Sequence, residues 1–111
     1  LQMSKLGMTS PVSAVPSSLD HVIFHDVYPN PFNPMTKISF TLNAPANVRV
    51  SVYDLKGRLV AQLTDKEYRV GRHTLTWNGL DRAGLAVSSG TYLVQMRSDP
   101  DLMTQKISLV R

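Results

Sequence analysis

Val48, Val50 and Val52 alternate with Asn47, Arg49, Ser51 and Tyr53. Successive side chains on a strand point to opposite faces, so this run offers one face to a core and the other to water. The same period recurs at Val22 and Phe24, at Ile38, Phe40 and Leu42, and at Leu75 and Trp77. It returns at Tyr92, Val94 and Met96, and at Met103, Gln105, Ile107 and Leu109. No stretch repeats apolar residues at i, i+3, i+4 and i+7, so any helix is a single turn. The segment Asp54-Leu55-Lys56-Gly57 supplies turn chemistry, and Arg58 to Leu63 reads as the returning strand of a hairpin. Asp65-Lys66-Glu67 reads as a mobile loop. Turn residues at Asn78-Gly79, Asp81-Arg82-Ala83-Gly84, Ser89-Gly90 and Ser98-Asp99-Pro100-Asp101 divide the rest. The pattern predicts an all-β chain of about seven strands, an immunoglobulin-like antiparallel β-sandwich, with a small barrel as the alternative.

A chain of 111 residues has room for one such core and a tail. Residues 1 to 19 hold serines and prolines with no apolar period and read as a flexible linker, leaving 20 to 111 as the domain. The opening at Leu1 reads as a cut in a longer chain, with a covalently linked domain upstream. The absence of cysteine removes disulfides, thiolate catalysis and the common structural zinc sites. Net charge is +4, but Lys37, Arg49, Lys56, Arg58, Arg69, Arg72, Arg82, Arg97 and Lys106 are dispersed, whereas nucleic-acid binding needs a patch that neutralises several phosphates together. No apolar run approaches the roughly 20 residues that span a bilayer, so neither nucleic acid nor membrane insertion is expected.

Candidate chemistry is sparse. His21 and His25, four apart on a strand, are separated by about 13 Å and lack a third ligand, so they read as exposed edge histidines. Asp81 opens a loop with a faint likeness to a calcium site, which Asp99 or Asp101 would help to close. The alternating Asp/Asn ligands and final Glu of such loops are missing. Ser88 and Ser89 are not part of a nucleophile elbow, His73 is placed against no acid, and Glu67 stands beside Lys66 and Arg69, which would hold its pKa low. No catalytic residue and no required cofactor is expected. Trp77 could stack on a sugar ring, yet its phase with Leu75 points inward, leaving Tyr53 and Tyr68 as the surface aromatics.

The segment Tyr28-Pro29-Asn30-Pro31-Phe32-Asn33-Pro34 fits neither a helix nor a central strand, because each proline lacks a donor and extends the residue before it. It reads as a rigid entry into the sandwich, with Phe32 plugging one end of the core. Together with Ile38-Ser39-Phe40, Val52-Tyr53-Asp54-Leu55-Lys56-Gly57-Arg58, Trp77-Asn78-Gly79, Asp81, Gly84, Ser89-Gly90-Thr91-Tyr92 and Lys106, this segment resembles the type A C-terminal sorting domain of the type IX (Por) secretion system. The same order of motifs is similar to the immunoglobulin-like domain of the flagellar hook-capping family.

The resemblance implies a sorting and cell-attachment module of a secreted protein, often a glycanase or peptidase, carried to the cell surface outside the outer membrane. Its partners would be the outer-membrane secretion machinery or a cell-surface component. Carried over by position, the recognition motifs fall on Pro29, Asn30 and Pro31, on Gly57, Gly79, Gly84 and Gly90, and on Lys106 and Arg111. Met35 stands where the family has a small hydroxyl residue. Lys106, Ser108 and Arg111 are expected on an open edge, readable by strand addition or by charge. A carbohydrate-binding accessory module and a hook-capping scaffold are the alternative functions.

Overall fold

The computed structural model describes residues 22–111. The expected linker over 1 to 19, Asp20 and His21 lie outside the described residues. The elements are β1 (Val22–Phe24), β2 (Thr36–Leu42), β3 (Ala46–Asp54), β4 (Leu59–Tyr68), β5 (Gly71–Trp77), β6 (Gly90–Ser98) and β7 (Asp101–Leu109). They form two antiparallel sheets, β1-β2-β5 and β4-β3-β6-β7, and no helix is present among the described residues. This is an immunoglobulin-like sandwich.

The inward residues of the period-two runs meet between the sheets. Ile38, Phe40 and Leu42 face Val48, Val50, Val52, Val94, Met96 and Ile107, all at most 1% exposed. Trp77 is 1% exposed and packs with Phe32 and Tyr92, at centroid distances of 5.6 and 5.4 Å. Its indole N–H donates to the Leu80 carbonyl at 2.9 Å, so the ring enters the core without stranding its polar atom. Tyr92 donates its hydroxyl to the Ser88 carbonyl at 2.6 Å, the tyrosine corner of immunoglobulin-like sandwiches.

Asp65-Lys66-Glu67 is not a loop. These residues continue β4, paired with Arg49, Val48 and Asn47 of β3. Two bulges explain why the alternation fades before them: the register passes from Thr64 to Gln62 and from Ala61 to Leu59, leaving Leu63 and Val60 as extra residues. Both are partly buried against the core, and each extra residue reverses the phase of the run. The polar stretch beyond belongs to an edge strand. There Asp65 accepts from Arg49 Nε at 3.3 Å and Asn47 Nδ2 at 3.2 Å.

Candidate functional site

Segment 25–34 crosses from one sheet to the other and lies along the outer edge of β7. At its start, the Tyr28 amide donates to the Lys37 carbonyl and the Lys37 amide donates back, at 3.1 and 2.9 Å. Thr36 Oγ1 donates to the Pro29 carbonyl at 2.7 Å. At its end, the Phe32 amide donates to the Ser108 carbonyl and the Val110 amide donates to the Phe32 carbonyl, both at 2.9 Å, in a parallel bridge.

Between these points the prolines interrupt the backbone ladder, and side chains complete it. A parallel partner two residues before Phe32 would donate to Lys106 and accept from Ser108. Asn30 does both with its carboxamide: Nδ2 donates to the Lys106 carbonyl at 3.2 Å, and Oδ1 accepts from the Ser108 amide at 2.9 Å. Gln105 makes the reciprocal connection. Its Nε2 donates to the His25 carbonyl at 2.7 Å and its Oε1 accepts from the Val27 amide at 2.9 Å. Two carboxamides therefore replace peptide groups, and each bonds two backbone groups nearly eighty residues away, giving a seam from His25 to Val110.

Beyond the seam, Arg111 turns back onto the sandwich. Its Nη2 donates to the Gly79 carbonyl at 2.9 Å, its Nε to the Val87 carbonyl at 2.7 Å, and its amide to Ser89 Oγ at 3.0 Å. Gly79 is buried at φ +75°, where a Cβ would lie 2.8 Å from Arg111 Nη2 and 3.3 Å from the Pro34 carbonyl. Only glycine accommodates both the left-handed backbone and this approach.

The structure thus joins Pro29, Asn30, Pro31, Gly79, Lys106 and Arg111 in one continuous region. Gly57 and Gly84 are elsewhere, in the turns at Asp54 and Asp81, where their amides donate to the Asp54 and Asp81 carbonyls at 3.0 and 2.9 Å. Gly90 begins β6. Gln105 is not one of the motif residues; its sequence signal is a carboxamide in the core-facing phase of β7, between Met103 and Ile107.

The expectation of an open backbone edge at Lys106, Ser108 and Arg111 is corrected, while the Lys106 side chain itself is exposed. Outward backbone groups of Lys106, Ser108 and Val110 are already bonded by Asn30 and Phe32, and the Arg111 guanidinium holds two carbonyls of its own domain. Strand addition over this stretch would first have to displace segment 28–34.

The other candidates are also located. Trp77 is buried, which removes it as a sugar-stacking platform. Tyr68 is half-buried rather than outward, edge-on to Phe40 at 5.2 Å and with its hydroxyl 2.6 Å from Thr64 Oγ1. His25 Nε2 is 2.7 Å from Thr41 Oγ1. Asp81 Oδ1 accepts the amides of Ala83 and Leu85 at 2.9 Å each, and Asp81 shares a cleft with Gly90. Asp99 and Asp101 flank the far end of β6, about 27 Å away by strand rise, so they cannot close a calcium site with Asp81. Among the described residues no three acidic or histidine side chains gather to hold a metal, and no helix is long and apolar enough to cross a membrane.

Residues 30–101 match the model of the FlgD Ig-like domain. The chain belongs to that family. As a FlgD Ig-like domain, it is similar in structure to PorU from Porphyromonas gingivalis, with a TM-score of 0.68 and 22% identity over 80% of this chain. It is also similar to PorZ, a surface component of the type-IX secretion system of the same bacterium, with a TM-score of 0.56 and 30% identity over 86% of this chain. FlgD from P. aeruginosa gives a TM-score of 0.52 and 29% identity over 67% of this chain. This chain spans 9% of the PorU chain, 12% of the PorZ chain and 57% of the FlgD chain. Among curated proteins none matches it.

Proposed function

We propose that this FlgD Ig-like domain is a non-catalytic sorting and attachment module. It is joined to a larger secreted protein, such as a hydrolase, and is recognised by type IX machinery at the outer membrane. The observation that carries the reading is the 30% identity to PorZ over 86% of this chain. The seam adds the form in which such a signal would be read. Asn30 and Lys106, 76 residues apart, meet in the folded domain, which supports recognition of a surface over recognition of a linear tail.

The test attaches the chain to the C-terminus of a secreted fluorescent reporter in a bacterium with a working type IX system. Surface display, read by protease accessibility on intact cells, is expected to depend on both the system and the domain. Equal display in a strain lacking the system overturns the reading.

The second reading is a scaffold of hook-capping type, favoured by the 29% identity to P. aeruginosa FlgD over 67% of this chain. Replacing the corresponding domain of that FlgD by this one separates the two. Restored motility with no reporter display supports the scaffold.

A further inference from the structure

At the end of the sandwich where β3 turns into β4, the turn and the loop after Leu80 enclose a cleft of about 360 Å³. Leu59, Val60 and Val87 give it apolar walls, and Arg58 and Arg82 line it from the two segments. An adjoining cleft of about 470 Å³ carries it past Lys56 and Leu55 towards Ser89 and Tyr92.

The acids here are committed to the fold. Asp54 Oδ1 accepts the amides of Lys56 and Arg58, and Oδ2 accepts Arg58 Nε, each at 2.9 Å. Asp81 Oδ1 is occupied by two amides. Three of these four carboxylate oxygens are therefore used internally. The cations are set the other way. Arg58 is held through Nε in an ion pair with Asp54, and its side chain is 74% exposed, so the guanidinium stays accessible from the cleft. Arg82 is anchored by its backbone, whose amide donates to the Val60 carbonyl at 3.0 Å, with its side chain exposed. Leu55 and Leu85, each 65% exposed, belong to the two segments that form the cleft.

Preset guanidiniums recognise carboxylates, and exposed leucines beside apolar walls favour a ligand that brings apolar side chains as well. We propose that this cleft docks an extended acidic segment of a partner protein, with its carboxylates on Arg58 and Arg82 and an apolar side chain over Leu55, Val60 and Val87. An anionic polysaccharide would satisfy the guanidiniums but leave the apolar surface unused. The proposal goes beyond the export reading and does not depend on it, because it is tested on the purified chain.

The probe is a synthetic peptide of repeated Asp-Leu-Asp-Ser units, titrated into the isotopically labelled chain and followed by NMR. The expected result is salt-sensitive binding, with shifts confined to residues 54–60 and 80–92. Affinity should fall about 10-fold in Arg58→Gln and in Arg82→Gln, as loss of a charge-assisted hydrogen bond predicts. A peptide with serine in place of leucine should bind more weakly. The proposal is overturned by absent binding, by shifts centred elsewhere, by affinity unchanged in both variants, or by an alginate oligosaccharide binding the cleft as tightly as the peptide.

Discussion

Asn30 and Gln105 supply with their side chains bonds that the backbone beside them does not make. In a parallel ladder the backbone of residue 30 would donate to the Lys106 carbonyl and accept from the Ser108 amide; here the Asn30 carboxamide does both. Asn30→Ala should lower stability by about 1–2 kcal/mol, the value of two partly solvated hydrogen bonds, and Asn30→Asp should fare little better because it cannot donate to the Lys106 carbonyl. Thermal unfolding checks this, with a drop of several degrees expected for a domain of this size. Gly79→Ala combines a left-handed backbone with a contact at 2.8 Å and should cost about 1–2 kcal/mol, measured by urea unfolding. The sequence marked Asn30, Gly79 and Arg111 through the order of motifs but showed none of their contacts. Gln105 is not legible as a seam residue in the sequence, where a carboxamide in a core-facing phase is an interruption of the apolar pattern with no partner indicated.

At the scale of elements, the strands with unbroken alternation were legible and the irregular ones were not. β3 and β6 keep a strict period of two that the sequence shows plainly, whereas Val60 and Leu63 shift the phase of β4, whose polar half therefore carries the pattern of a loop. Amide exchange provides a check: inward-pointing amides between Thr64 and Tyr68 should be slowed relative to the β3–β4 turn, and uniformly fast exchange would restore the loop. The turn itself has a predictable pH response. The Arg58 backbone amide, with its side chain and the Lys56 amide, holds the Asp54 carboxyl below its ordinary pKa. A depressed folded-state pKa makes the contribution complete above the usual aspartate range near about pH 4 and loses it as pH falls through the lowered value. Asp54→Asn should therefore be less stable than the parent near neutral pH, with the difference shrinking in denaturant titrations at about pH 3.

For the whole molecule, the two ends of the domain's sequence are parts of one structure. The proline-rich segment leaves the β1-β2-β5 sheet, lies along β7 and buries Phe32 against Trp77, while Arg111 closes over Gly79. An export machine reading this surface would respond to whether the domain is folded, a property that a linear tail cannot report. The most direct test of the seam is amide hydrogen exchange at Ser108, whose N–H donates to Asn30 and not to a neighbouring strand's backbone. The predicted result is a protected Ser108 amide that exchanges at least about 10-fold faster in Asn30→Ala, with Val94 in the sheet centre nearly unchanged. A Ser108 amide that is unprotected in the parent, or indifferent to the substitution, would contradict the seam.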